Sequence, residues 1–179
     1  MLDRIVDDVN KALDNNAYIA GLSLALTLPD ICGKAEFGPD VSTKQRYIDW
    51  YDKYIPCGFS PFHDMGNPNQ TPELTGEVLY SLRCALLHEG NPNVDKDKIK
   101  CENNKVDHFT LILEDKKGNG LYFQSVSRGK DHRSMAINVR GICKFLTETA
   151  KAYYKKYPEK FNFFQYSIRE IHHDTEGRE

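Results

Sequence analysis

TPELTGEVLYSLRCALLHEGNP, residues 71–92, is the stretch on which the fold is read. It has the marks of one helix with both ends signalled. Thr71 can accept a hydrogen bond from an early helical N–H, and Pro72 sits where a helix has no N–H to lose. Glu73 and Glu77 place negative charge near the positive end of the helix dipole. Gly90 suits a left-handed helix end, and Pro92 cannot continue the helix. Between the ends, Val78, Leu79, Leu82, Ala85, Leu86 and Leu87 are apolar enough for burial. Into this run the sequence places Arg83 and, in the last turn, His88. A cation in such surroundings is costly unless paired.

Working outward, residues 2–28 read as a long first helix, closed by Pro29. Ile5, Val9, Ala12, Leu13 and Ala17 recur at helical spacing before the apolar run IAGLSLALTL. Residues 29–42, with Gly33, Gly38 and Pro39, read as a loop. Ser42 and Gln45 resemble a capping box that opens a second helix to about Ile55. Tyr47, Trp50, Tyr51 and Tyr54 form one aromatic stripe on that helix, a core face. Residues 56–70 are rich in proline and glycine and read as a surface loop, which takes in His63 and Asp64.

Beyond the central helix, residues 91–104 read as loop. Phe109, Leu111 and Leu113 then alternate with Thr110 and Ile112, and Leu121 and Phe123 alternate with Tyr122 and Gln124. DKKGNG between the runs predicts a β-hairpin. Residues 127–134 read as a short basic loop and 134–157 as a last helix. Residues 161–168 are open between a third strand and an extended cover. The expected fold is mainly α: a bundle of about four helices with a small antiparallel β-hairpin inserted at about 107–127. One domain spans 1–171, and 172–179 form a flexible tail.

The chain has 179 residues and a formal net charge of −2. That length suits a single domain burying roughly 70% of its unfolded surface. The balance of charge argues against a global nucleic-acid polycation, though not against a local basic groove. The five cysteines are odd in number and make no C-x-x-C. Neither a zinc site nor a disulfide framework is expected, and a reducing compartment is the simplest setting. The start, MLDRIVDDVN, is acidic and polar, and no apolar run approaches the roughly 20 residues of a membrane span. The expectation is a soluble, cytoplasmic protein, with no membrane partner, no metal and no cofactor; no G-x-G-x-x-G or P-loop occurs.

Arg83 and His88 spell R-x4-H. In spacing, in place at the end of a core helix and in the Gly-Asn-Pro stop, SLRCALLHEGNP resembles the motif of the HEPN domains. LPDICGK and YIDWYDKYI also look like uncharacterised bacterial and phage-borne proteins of this kind. The family comprises helical bundles, many of them endoribonucleases of toxin–antitoxin, abortive-infection and CRISPR systems. Cys84 stands where members often carry a small polar residue such as Asn. The resemblance covers the helices and not the hairpin.

It implies a metal-independent endoribonuclease, or an inactive descendant of one, in stress or defence. Arg83 would grip the phosphate and His88 would move protons while the RNA 2′-hydroxyl attacks. An antitoxin or regulatory protein is a further expected partner. Arg128, Lys130 and Arg133, with Lys116, Lys117 and His132 nearby, are candidate RNA contacts. The alternative is a non-catalytic module that binds RNA or protein. A purely structural role also competes: Arg83 bridging to Glu77 or an acid of the first helix, with His88 covering carbonyls at the helix end.

One geometric difficulty is visible beforehand. Five residues turn an α-helix through about 500°, which leaves Arg83 and His88 roughly 140° apart. Either the helix frays near Gly90, or two copies pack about a two-fold axis and share a cleft. The second route, which the family implies, makes a homodimer the expected state.

Overall fold

The computed structural model describes residues 1–55, 74–91, 93–94, 99–100, 105–113, 124–128 (backbone only), 133–164 and 166–169. Six α-helices dominate: α1 (Leu2–Asp14), α2 (Tyr18–Ala25), α3 (Leu28–Phe37), α4 (Thr43–Tyr54), α5 (Gly76–Cys84) and α6 (Val139–Lys156). Three strands lie between α5 and α6: β1 (His108–Ile112), β2 (Gln124–Arg128) and β3 (Arg133–Asn138). A 3-10 turn at Pro158–Phe161 follows α6.

The expected single helix over 2–28 is two helices and the start of a third. Asn16 adopts φ 58°, a left-handed conformation that Asn tolerates, and this ends α1. Pro29 does not stop a helix. It occupies the first turn of α3, where its missing N–H costs nothing. The stretch read as a loop is therefore a helix to Phe37, and the described residues hold six helices rather than about four.

Helix α4 is as the sequence indicates. Ser42 Oγ accepts from the Gln45 amide at 3.3 Å. Only half of the capping box forms, because the Gln45 side chain donates to Asp49 Oδ1 instead. Tyr47, Trp50 and Tyr51 are buried. Trp50 meets Tyr153 of α6 edge-on at 5.8 Å. α4 is the spine on which α3 and α5 lie, and a glycine marks each close approach. A Cβ on Gly33 would stand 2.5 Å from the Arg46 carbonyl oxygen, and one on Gly76 2.7 Å from that of Ile48.

The far ends of α3, α4 and α6 are tied by Glu36. Its carboxylate accepts from Lys53 Nζ at 2.6 Å, Lys160 Nζ at 2.5 Å, Tyr153 Oη at 2.7 Å and Tyr54 Oη at 3.0 Å. Burial pushes this carboxyl up, but the four donors outweigh it and hold it at about 2.

The sheet corrects the hairpin. Its order is β1-β3-β2. β1 runs parallel to β3, with Phe109 opposite Met135 and Leu111 opposite Ile137. β2 pairs antiparallel with β3. The alternation at 109–113 does mark a strand, but its partner lies some 25 residues on rather than across DKKGNG. Residues 134–138, read as the start of the last helix, are the body of β3. Met135 and Ile137 point into the core, and Asn138 caps α6 by accepting from the Gly141 amide at 2.8 Å. No strand forms at 161–168 among the described residues. DKKGNG, the 56–70 segment with His63 and Asp64, and the 172–179 tail lie outside them. Among the described residues no helix is long and apolar enough to cross a membrane.

Candidate functional site

Helix α5 starts one turn later than Thr71. Thr75 is its cap, accepting from the Val78 amide at 3.4 Å, and the Gly76 amide donates to Asp52 Oδ1 of α4 at 2.7 Å. Thr71 and Pro72 lie outside the described residues. From Ala85 to Glu89 the helix changes to a π turn. The Gly90 amide donates to the Ala85 carbonyl, and Gly90 takes the left-handed conformation at φ 58°. Such turns close hydrogen bonds between residues five apart, and they recur at functional sites.

That change resolves the 140° difficulty. A π turn brings residues i and i+5 nearly into line, so Arg83 and His88 meet within one chain. Arg83 Nη1 lies 3.0 Å from His88 Nε2. A guanidinium only donates, so Nε2 must present its lone pair and the ring proton sits on Nδ1. Neither fraying nor a second copy is needed to join the two side chains, and the geometric reason for a dimer falls away.

Arg83 does have an acidic partner, but neither Glu77 nor an acid of the first helix. Its Nε donates to Asp30 Oδ2 of α3 at 2.7 Å, and both side chains are about one-sixth exposed (15% and 17%). Glu77 accepts from the Lys100 amide instead. Burial raises the Asp30 carboxyl, against the pull of Arg83. The Asp30 charge in turn raises Arg83 despite the burial of the guanidinium. Tyr80, one turn before Arg83, lies under it at 5.7 Å, and Lys44 of α4 approaches the same ring at 6.0 Å.

Behind the ion pair, Tyr47 packs edge-on against Tyr80 at 5.2 Å. Asp30 Oδ1, Tyr47 Oη and Arg46 Nε are buried without a hydrogen-bond partner among the described residues. Burial, then the Asp30 charge, lifts the Tyr47 hydroxyl well above its ordinary range. His88 itself is exposed. The site is thus a cation on a half-buried acidic anchor, with an exposed imidazole beside it.

The proposed RNA-contact residues are less concentrated. Lys130, Lys116, Lys117 and His132 lie outside the described residues. Arg128 ends β2 and pairs in register with Arg133 at the start of β3. Arg133 is half-buried, and its amide donates to Asp107 Oδ2 at 2.8 Å. The chain leaving His88 reaches that same end of the sheet, where Asn93 bridges to His108.

Among those residues no group of three or more His, Cys, Asp or Glu is placed to hold a metal ion. Cys32 and Cys143 are buried thiols, both raised by desolvation, Cys143 to about 12.

Asp30, Tyr47 and Tyr80 are what sequence reading missed. Asp30 sits in LPDICGK, whose Pro and Gly suggest a loop; reading Pro29 as a first-turn proline would have put Asp30 on a helix. No family model, curated protein or solved structure matches the chain.

Proposed function

We propose that the chain is a HEPN-like endoribonuclease that needs no metal for its chemistry. The observation that carries this reading is the 3.0 Å contact between Arg83 and an exposed His88, made through a π turn. RNA brings its own nucleophile, the 2′-hydroxyl. Its attack on the adjacent phosphate requires a base, and the extra negative charge requires a cation. Once a phosphate draws Arg83 Nη1 away, the His88 Nε2 lone pair takes the 2′-hydroxyl proton and passes it to the leaving 5′-oxygen. Of the five N–H donors of a guanidinium, Asp30 and His88 engage one each among the described residues, and the others would meet the phosphate oxygens. The products are a 2′,3′-cyclic phosphate and a 5′-hydroxyl.

RNA is the substrate in this reading. A homodimer and an antitoxin or regulatory protein are further partners, and the setting is bacterial or phage-related stress or defence. A second reading, a non-catalytic module for RNA or protein, is favoured by one fact: Asp30 holds the Arg83 Nε edge, which a bidentate phosphate grip would use.

Purified protein incubated with mixed RNA in chelator, beside Arg83→Ala and His88→Ala, separates the two. Cleavage by the wild type alone supports the nuclease. Equal RNA binding by all three without cleavage supports the module.

A further inference from the structure

We infer that Asp30 is the positioning residue of this site: its carboxylate aims Arg83 at His88 and so sets which imidazole nitrogen carries the ring proton. The inference rests on the nuclease reading for its consequence but not for its geometry. Three observations carry it.

The first is the chain of contacts. Asp30 Oδ2 takes the Arg83 Nε proton at 2.7 Å, and the same guanidinium reaches His88 Nε2 through Nη1 at 3.0 Å. Fixing Nε on one side fixes the plane of the fork, and hence the direction of Nη1. A free imidazole has no such donor on Nε2, so the ring tautomer depends on Arg83 staying in place.

The second is the awkwardness of the anchor. Asp30 keeps its other oxygen buried without a partner among the described residues, beside a fully buried Tyr47 hydroxyl in the same condition. A half-satisfied, largely desolvated ion pair is a poor stabiliser, and well-packed apolar side chains in its place are often no worse. An arrangement of this kind is better explained by what it points at than by what it holds together.

The third is that the approach is built into the backbone. Gly33, three residues after Asp30, lets α3 lie against the Arg46 carbonyl, and Gly76 lets the start of α5 lie against Ile48. The two contacts with α4 place Asp30 and Arg83, 53 residues apart, side by side.

The test reads the His88 tautomer by nitrogen NMR of the full chain above the pH at which the ring protonates. In the wild type the proton sits on Nδ1. In Asp30→Asn, which keeps the shape and loses the charge, the population moves to the Nε2–H form. Asp30→Glu, which keeps the charge, retains more of the Nδ1–H form than Asp30→Asn. An Nε2–H ring in the wild type overturns the proposal outright, whether or not either variant folds. So does a tautomer unchanged in a folded Asp30→Asn protein.

On RNA, Asp30→Asn lowers kcat by on the order of 100-fold, with KM moved far less, as misplacement of a reacting group predicts. If the wild type cleaves no RNA while the tautomer responds as stated, the nuclease reading fails and the positioning role stands.

Discussion

Arg83 and His88 are five residues apart and 3.0 Å apart, and a π turn reconciles the two figures. In an unbroken α-helix the same side chains would point to different faces. The extra residue of the π turn, rather than a second subunit, closes the site.

Deleting Leu87 tests this directly. The turn then reverts to α-helical register, and Arg83 and the histidine become neighbours four apart, again on one face. The contact survives, the His tautomer stays on Nδ1, and any RNA cleavage falls by less than about tenfold, the loss of one well-placed group being larger. A structure of the deletion variant with the histidine swung away from Arg83 would contradict the account.

Gly33→Ala separates close packing from helix propensity. Alanine is the better helix former by about 1 kcal/mol. Here its Cβ would stand 2.5 Å from a backbone oxygen of α4, so the variant loses about 1–3 kcal/mol instead. Denaturant unfolding measures the sign, and a more stable variant would refute the close approach.

Tyr47→Phe goes the other way. The hydroxyl is buried without a partner among the described residues, so removing it relieves a desolvation cost. Stability is unchanged or rises by up to about 1 kcal/mol. A loss of several degrees in Tm would show that the hydroxyl is bonded after all.

Glu36 makes stability depend on acid. Its folded value of about 2 lies below the ordinary 4.5. The contribution is therefore fully present above about pH 4.5 and is lost as pH falls toward 2. Since both lysines on it are partly exposed, about 2 kcal/mol is a screened figure for its size. Glu36→Gln removes most of this slope and lowers Tm at neutral pH by roughly 4–8 °C.

What was legible in the sequence follows local chemistry. The Ser42 cap, the Tyr47–Trp50–Tyr51 core stripe and the left-handed Gly90 all rest on neighbours within a turn or two, and each is where those neighbours place it. What was not legible is non-local. The parallel pairing of β1 with β3 skips an intervening strand, which a turn signal at DKKGNG cannot encode. Pro29 reads equally as a stop and as a first-turn residue until the packing of α3 on α4 is known. The same ambiguity hid Asp30, and with it the anchor of Arg83. The π turn was invisible for another reason: no residue type in ALLHE demands it.

The most direct test of an in-chain site mixes two inactive proteins. Arg83→Gln and His88→Asn are each purified, then combined under conditions that allow subunit exchange, and RNA cleavage is followed in chelator beside the wild type. The wild type should cleave, and the mixture should be no more active than either variant alone, because no chain in it carries both groups. Recovery of cleavage on mixing would place the two residues in a cleft shared between chains, and intact RNA with the wild type would remove the nuclease itself.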